Sequence, residues 1–536
     1  MIVVYTGILA ARAVPIATPE GTDMRLKRMA AAVASGSAAF LIFICIEGAL
    51  IGEEPDPALA GAQGELFAAR YENATALFSQ IVEQRPATGD AWYGLVRAHL
   101  GQHHWREAYS AADQALNRAP QTAGAETAAG LAMYRRGDLG SAETHYQAAL
   151  KIDRAYPGAL RGLASIYSAI SLFKSARDLR LKAYSAAPND PDLMLFHANT
   201  LKGQKHIEAL EEALARLDPG SEEARSLKVH IANDRAVGDR KLRRLISPYQ
   251  NGRVKLLQLL DGPSRAFGVG IVARLNQKET VKLLMDTGAS GISLSPKAAE
   301  KAGLQQLSSE TSEAKGIGDQ KVQPSIAYLA SEVQAGDATF ADYPISVFRS
   351  AKSADYDGLI GPDVFSPFLV KIDFVRLVMS LETRPAGSPE PPDEPLDWNG
   401  QLPPGFYRVL RFGDHLAVPT FINGGRSALF LVDSGSSANL IDTATAKEFT
   451  KVGTDSRTIV GGIQGKVDKV SRADRVSLVF AGFRQDNADV IAISLEKMSD
   501  SFGVGFGGIL GMPVLRNLAL TVDYRGGAIK FEYNKP

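Results

Sequence analysis

The chain contains one stretch of sequence twice. The apolar run from Val281 to Met285, ending in Asp286-Thr287-Gly288-Ala289-Ser290, returns 147 residues later as Ala428 to Val432, ending in Asp433-Ser434-Gly435-Ser436-Ser437. Two further blocks return in the same order, each 150 residues on: Leu359-Ile360-Gly361 as Ile509-Leu510-Gly511, and Val370 to Phe374 as Leu520 to Tyr524. Three matched blocks in one order predict two copies of one folding unit. Short β-branched runs broken by glycine make that unit all-β.

The chemistry of each copy follows from its residues. An aspartate ending an apolar strand emerges from a buried place, where a carboxylate is costly unless paired or hydrogen-bonded. The glycine two residues on permits a tight turn. About 75 residues later a second glycine follows two apolar residues and lets a neighbouring backbone pass close behind that turn. Pro385, Pro389, Pro391, Pro392 and Pro395 separate the copies as an extended linker. Asp373 and Asp523 also repeat but sit in later strand patterns, where a structural role is expected. Gly503 to Gly508 fits a dinucleotide-binding glycine pattern but leads into an apolar strand and not a helix, so no such cofactor is expected. No zinc-protease helix and no nucleophile elbow occur, and no metal is expected.

These motifs resemble those of the retropepsin-like aspartic proteases. Asp286-Thr287-Gly288-Ala289-Ser290 is similar to the retroviral active-site motif, Asp433-Ser434-Gly435-Ser436-Ser437 to the pepsin form, and the two Leu/Ile-Gly blocks to the family's second signature. The resemblance covers residues 256–385 and 401–536. It implies an aspartic endopeptidase in which Asp286 and Asp433 share one proton and activate a water, with Thr287 and Ser434 bracing the turns and Gly288 and Gly435 near the substrate. It also implies a glycine-containing flap from each half, at Gly316-Ile317-Gly318 and at Gly461-Gly462-Ile463-Gln464-Gly465. Ala289 stands where the second motif has Ser436, and a serine hydroxyl on the carboxylate would make Asp433 the more acidic partner. Three arrangements stay open: a pseudo-dimer within one chain, an obligate homodimer with separate sites, and a scaffold whose protease-like halves bind without cutting.

Upstream, from about residue 61 to 220, the pattern is helical with a fixed period. Ala74, Ala108, Ala142 and Ala176 are spaced by 34 residues, as are Pro86 and Pro120, with Pro188 two periods further. Ala115, Ala149 and Ala183 keep the same register. Small residues at one point let antiparallel helices approach, and proline stops the second helix of each unit. The pattern resembles the tetratricopeptide repeat, best in the unit that starts at Trp92-Tyr93-Gly94-Leu95, with four units and a weaker fifth from His206 to Pro219. Such an array binds a protein partner on its concave face or acts as a spacer stacked on the next domain. Residues 221–255 are expected to connect as a helix or linker, with Arg240, Lys241, Arg243 and Arg244 on its polar face, and His103 and His104 are expected in a solvated turn.

The fold expected is therefore multidomain: an all-α repeat solenoid, then two all-β acid-protease domains at residues 256–385 and 401–536, joined by a Pro-rich linker at 386–400. Residues 1–60 form an extension. Within it Arg25, Lys27 and Arg28 precede an apolar stretch from Met29 to Ile51 with one charge, Glu47. That fits export, either as a membrane anchor or as a cleaved signal with Ala58-Leu59-Ala60 at the cut. The catalytic domains would then stand outside the cytoplasm, periplasmic, extracellular or tethered. Lys+Arg and Asp+Glu are both 59, which gives no net charge and no reason to expect nucleic acid as a partner. A single cysteine excludes an intrachain disulfide.

Overall fold

The computed structural model describes residues 56–261, 265–351, 355–383 and 402–534. The apolar segment Met29–Ile51 and the Pro-rich linker lie outside the described residues. Ala58-Leu59-Ala60 falls in the first turns of a helix. Among the described residues no helix is long and apolar enough to cross a membrane.

The repeat region consists of eleven helices: α1 Pro57–Phe67, α2 Tyr71–Gln84, α3 Gly89–Gly101, α4 Trp105–Arg118, α5 Ala123–Arg135, α6 Leu139–Ile152, α7 Pro157–Ala169, α8 Phe173–Ala186, α9 Pro191–Ala198, α10 Gln204–Leu214 and α11 Glu222–Val237. The periodic alanines are the contact points. Ala74, Ala108, Ala142, Ala176, Ala115, Ala149 and Ala183 are all buried, because only a methyl group fits between paired helices. At Gly124 even a methyl does not fit, since a Cβ there would lie 2.3 Å from the Gly89 carbonyl carbon and 2.5 Å from the Asp90 nitrogen.

The array bends round until its ends meet. Asp218 N–H donates to the Ala68 carbonyl at 2.9 Å. The Tyr71 hydroxyl donates to Glu223 at 2.5 Å. Ala69 packs on the C-terminal cluster of Met194, Leu210 and Leu227. The interior keeps a cavity of about 360 Å³, crossed by its own side chains. Arg97 binds Asp190 at 2.8 Å, Arg161 donates to Tyr93 at 2.8 Å, and Tyr156 donates to Asp90 at 2.7 Å.

The basic cluster is not the face of a helix. Gly238, at φ +61°, ends α11, and Arg240 and Lys241 lie in the loop beyond. Arg244 enters a two-residue strand and faces Asp342, and Arg243 stacks over Tyr343.

Each β half delivers its aspartate in the same way. In the first, Gly358–Ile360 runs parallel to Glu279–Met285, with Leu359 opposite Leu284 and Ile360 opposite Met285. In the second, Gly508–Leu510 runs parallel to Ser427–Val432, with Ile509 opposite Leu431 and Leu510 opposite Val432. The two halves share a six-stranded antiparallel sheet to which each gives three strands. At its centre Leu369–Asp373 pairs with Leu518–Asp523, and Ile372 lies opposite Leu520. One continuous core of fully buried residues, Ile372, Leu520 and Val522 among them, spans both halves. The halves therefore pair within one chain.

Asp373 and Asp523 close the turns after these strands. Asp373 accepts from the N–H groups of Val375 and Arg376, and Asp523 from those of Arg525 and Gly526. The glycine-rich stretch after Gly503 runs into the strand Gly508–Leu510.

The solenoid grips both halves. Gly505 N–H donates to the Arg135 carbonyl at 2.7 Å, and Arg408 donates to the Ile170 carbonyl at 2.9 Å in the second half. In the first half, Ser308 Oγ donates to Asn233 at 2.7 Å and Lys315 binds Glu222 at 2.7 Å. His103 lies exposed in the turn after α3, as expected, and its Nδ1 lies 3.0 Å from Asp500 of the second half. Gly124→Ala should push α3 and α5 apart and cost about 1–3 kcal/mol, more than alanine's gain in helix propensity. Chemical denaturation of the repeat region checks it, and an unchanged midpoint would disprove the close contact.

Candidate active site

The strand Glu279–Met285 ends at Asp286 because the chain turns away there through Thr287 and Gly288. Asp286 N–H donates to Ile360 O at 2.9 Å, and Asp433 N–H to Leu510 O at 3.0 Å. The second signature thus sits directly beside each aspartate. Its glycine has no room for a side chain: a Cβ on Gly361 would lie 2.4 Å from Ala289 O, and one on Gly511 2.2 Å from Ala438 O.

The two turns lock together through their hydroxyl residues, both fully buried. Ser434 N–H donates to Thr287 Oγ1 at 2.8 Å, and Thr287 N–H donates to Ser434 Oγ at 3.1 Å. Each hydroxyl passes its proton across the pseudo-two-fold axis, Thr287 to Val432 O and Ser434 to Met285 O, both at 2.8 Å. The four bonds use the backbone N–H and the hydroxyl of both residues.

This brace brings the carboxyls face to face. Gly288 N–H donates to Asp286 Oδ1 and Gly435 N–H to Asp433 Oδ1, both at 2.8 Å. A Cβ on Gly435 would lie 2.5 Å from the Asp286 carboxyl carbon, and one on Gly288 2.7 Å from that of Asp433. Both carboxyls are pushed above the ordinary carboxylate value. For Asp433 the causes are burial and then the charge of Asp286, and its value rises well above. For Asp286 burial raises it, while the hydrogen bond with Asp433 and the Gly288 N–H pull it back. The Ser436 hydroxyl, expected on the Asp433 carboxylate as the cause of a greater acidity there, donates instead to Ala438 O at 2.8 Å, so that cause is absent. Ala289 lies in the same turn, its N–H donating to Asp286 O at 3.1 Å.

The glycine-rich turns meet each other. Gly316-Ile317-Gly318 joins Gln305–Ala314 to Gln323–Ala335, and Gly461–Gly462 pairs with Gly465–Lys466 around Ile463 and Gln464. Gln464 N–H donates to Ile317 O at 3.0 Å, Gln320 N–H to Gln464 O at 2.9 Å, and Asp319 N–H to Lys466 O at 2.9 Å. The tips cross over. Ile463 packs on the first half's cluster of Leu259, Leu284 and Leu359. Ile317 packs on the second half's cluster of Leu431, Leu440 and Ile509.

Three neighbours of the site carry no signal in the sequence. Asp363 accepts from Gly291 N–H at 3.0 Å, and burial with the nearby charge of Asp414 pushes it up to about 7. Asp414 itself accepts from Ser290 Oγ at 2.8 Å across the two halves. His415 stands edge-on to Phe502, 4.7 Å between ring centres, and burial holds it below the usual histidine value. Strand register makes Gly268 its equivalent in the first half, so this feature is one-sided.

Residues 271–364 and 418–514 match the aspartyl protease family, and residues 67–131 match the tetratricopeptide repeat. The chain carries two aspartyl-protease-family segments behind a helical repeat array. No curated protein matches it.

Thr287→Val removes an acceptor from Ser434 N–H and a donor from Val432 O, and should cost about 1–3 kcal/mol per group left unpaired. Ser434→Ala should cost a similar amount. The double variant should lose less than the sum, because each single change already breaks the shared brace. A double-mutant cycle by denaturation measures that coupling, and additive losses would show independent turns. Asp363 contributes stability that is complete below the ordinary carboxylate value and is lost as pH rises through about 7. Asp363→Asn should therefore flatten the fall in melting temperature between about pH 4 and 7.

Proposed function

We propose that the chain is an aspartic endopeptidase in which Asp286 and Asp433 together activate a water against a peptide carbonyl. The observation that supports it best is the buried carboxyl pair, held by reciprocal Thr287–Ser434 hydrogen bonds. Such a pair costs folding stability, and the reaction gives it a use. The ionised member of the pair takes a proton from the water as it attacks. The protonated member hydrogen-bonds the carbonyl oxygen and stabilises the tetrahedral intermediate. The proton then passes to the leaving nitrogen, and no covalent intermediate forms. The absence of side chains at Gly288 and Gly435 leaves the carboxyls open to a substrate backbone.

The flap turns would act as a gate. In the closed form their backbone groups satisfy one another, so entry requires those bonds to break and substrate groups to replace them. That favours an extended peptide segment, which carries free backbone donors and acceptors. The repeat array would hold the two halves in register and leave its outer surface for a protein partner. The apolar segment Met29–Ile51 supports export, with the catalytic halves outside the cytoplasm.

The test is cleavage of an unfolded protein mixture over about pH 3 to 8 by wild type, Asp286→Asn and Asp433→Asn. Either substitution should abolish cleavage, and specific activity should not change on dilution, because one chain holds both carboxyls. Cleavage that survives one substitution would sink the shared dyad. A folded wild-type chain that cuts nothing would favour a non-catalytic scaffold. Stability should move the opposite way to activity. A carboxyl whose folded pKa is raised contributes most at low pH and loses that contribution as pH rises through the folded value. At pH 7 Asp433→Asn should therefore melt higher than wild type, by roughly 2–4 °C for each kcal/mol relieved.

A further inference from the structure

We propose that His206, His230 and Asp234 form a binding site for a divalent transition-metal cation of the zinc type, tying α10 to α11. Their ligand atoms lie within 4.8 Å of one another. His206 comes from the start of α10, and His230 and Asp234 stand one turn apart on the same face of α11.

The hydrogen bonding of His206 carries the inference. Its Nδ1 lies 2.8 Å from the Ala198 carbonyl. A carbonyl only accepts, so Nδ1 bears the proton, and whenever the ring is neutral its lone pair is at Nε2. That lone pair faces Asp234 Oδ2 at 3.0 Å, which also only accepts. His230 Nε2 lies 3.2 Å from the same oxygen. Two acceptors in contact repel unless a cation or an added proton lies between them. A ring nitrogen fixed by a backbone carbonyl, with the other nitrogen aimed at a carboxylate, is the arrangement that orients a histidine for metal.

The spacing fits as well. Metal bonds of about 2.0–2.1 Å at tetrahedral angles place neighbouring ligand atoms roughly 3.3 Å apart, close to both distances here. Two imidazoles with one carboxylate suit zinc and its first-row neighbours better than calcium or magnesium, which prefer oxygen. The fourth position would fall to water. His230 is half exposed, so its ring can turn to complete the geometry.

The position gives such an ion a mechanical effect. Asn233, next to Asp234, accepts from Ser308 on the strand Gln305–Ala314, which leads to the Gly316–Gly318 turn. Glu222 at the other end of α11 holds Lys315 at the foot of that turn. An ion joining α10 to α11 therefore stiffens the helix on which one flap rests.

The full chain, stripped with a chelator and dialysed, would be titrated with zinc chloride at pH 7.5 by calorimetry. One saturable site is expected, weakened about tenfold or more by His206→Gln and by His230→Gln. His103→Gln, on a histidine away from the cluster, should leave it unchanged. Zinc should also raise the melting temperature of wild type and not that of His230→Gln, a change at an exposed side chain. Cobalt in place of zinc should give the visible absorption of a low-coordinate ion with nitrogen ligands. No saturable binding would overturn the proposal in favour of a protonated His206 paired with Asp234. Binding that survives both histidine substitutions would overturn it too.

Discussion

Two buried hydroxyls hold the aspartate-bearing half of this chain together. Thr287 and Ser434 each accept from the other's backbone N–H and donate to a carbonyl on the far side of the pseudo-two-fold axis. Without them two turns would meet with unpaired polar groups in a dry interior, and the carboxyls behind them would have no fixed separation. The rest of the architecture serves this contact. The six-stranded sheet sets the axis, the parallel strands Gly358–Ile360 and Gly508–Leu510 support each turn from behind, and glycines at 361 and 511 let that support come within backbone contact.

Much of this was legible in the sequence because the constraints are local. An aspartate after an apolar run, followed by hydroxyl and glycine, can do few things, and its repetition implies a pair. The alanine period likewise stated which faces of the helices touch. What escaped reading depends on contacts between distant segments. His103 finds Asp500, and Asp363 finds Gly291, through folding of parts that share no pattern. The Ser436 hydroxyl had two acceptors in reach, the carboxylate and Ala438 O, and the turn geometry decided between them. The basic cluster at residues 240–244 had helical spacing, but Gly238 stops the helix before it.

The two modules are not beads on a string. The solenoid touches the first half along α11 and the second half at Arg135 and Ile170, so it bridges the axis that the dyad straddles. The same contacts place Phe502, beside His415, only two residues from Asp500, which His103 of the array engages.

The meeting of the solenoid's ends has a consequence for how such a chain can change over time. Open repeat arrays gain and lose units readily, since each unit touches only its neighbours. Here Ala68 and Tyr71 of the first unit bond residues 218 and 223 at the far end of the array. Adding or deleting 34 residues would alter the circumference, part that closure, and shift the grip on one protease half relative to the other. The number of repeats is thus fixed by the spacing of a pair of aspartates that no repeat touches.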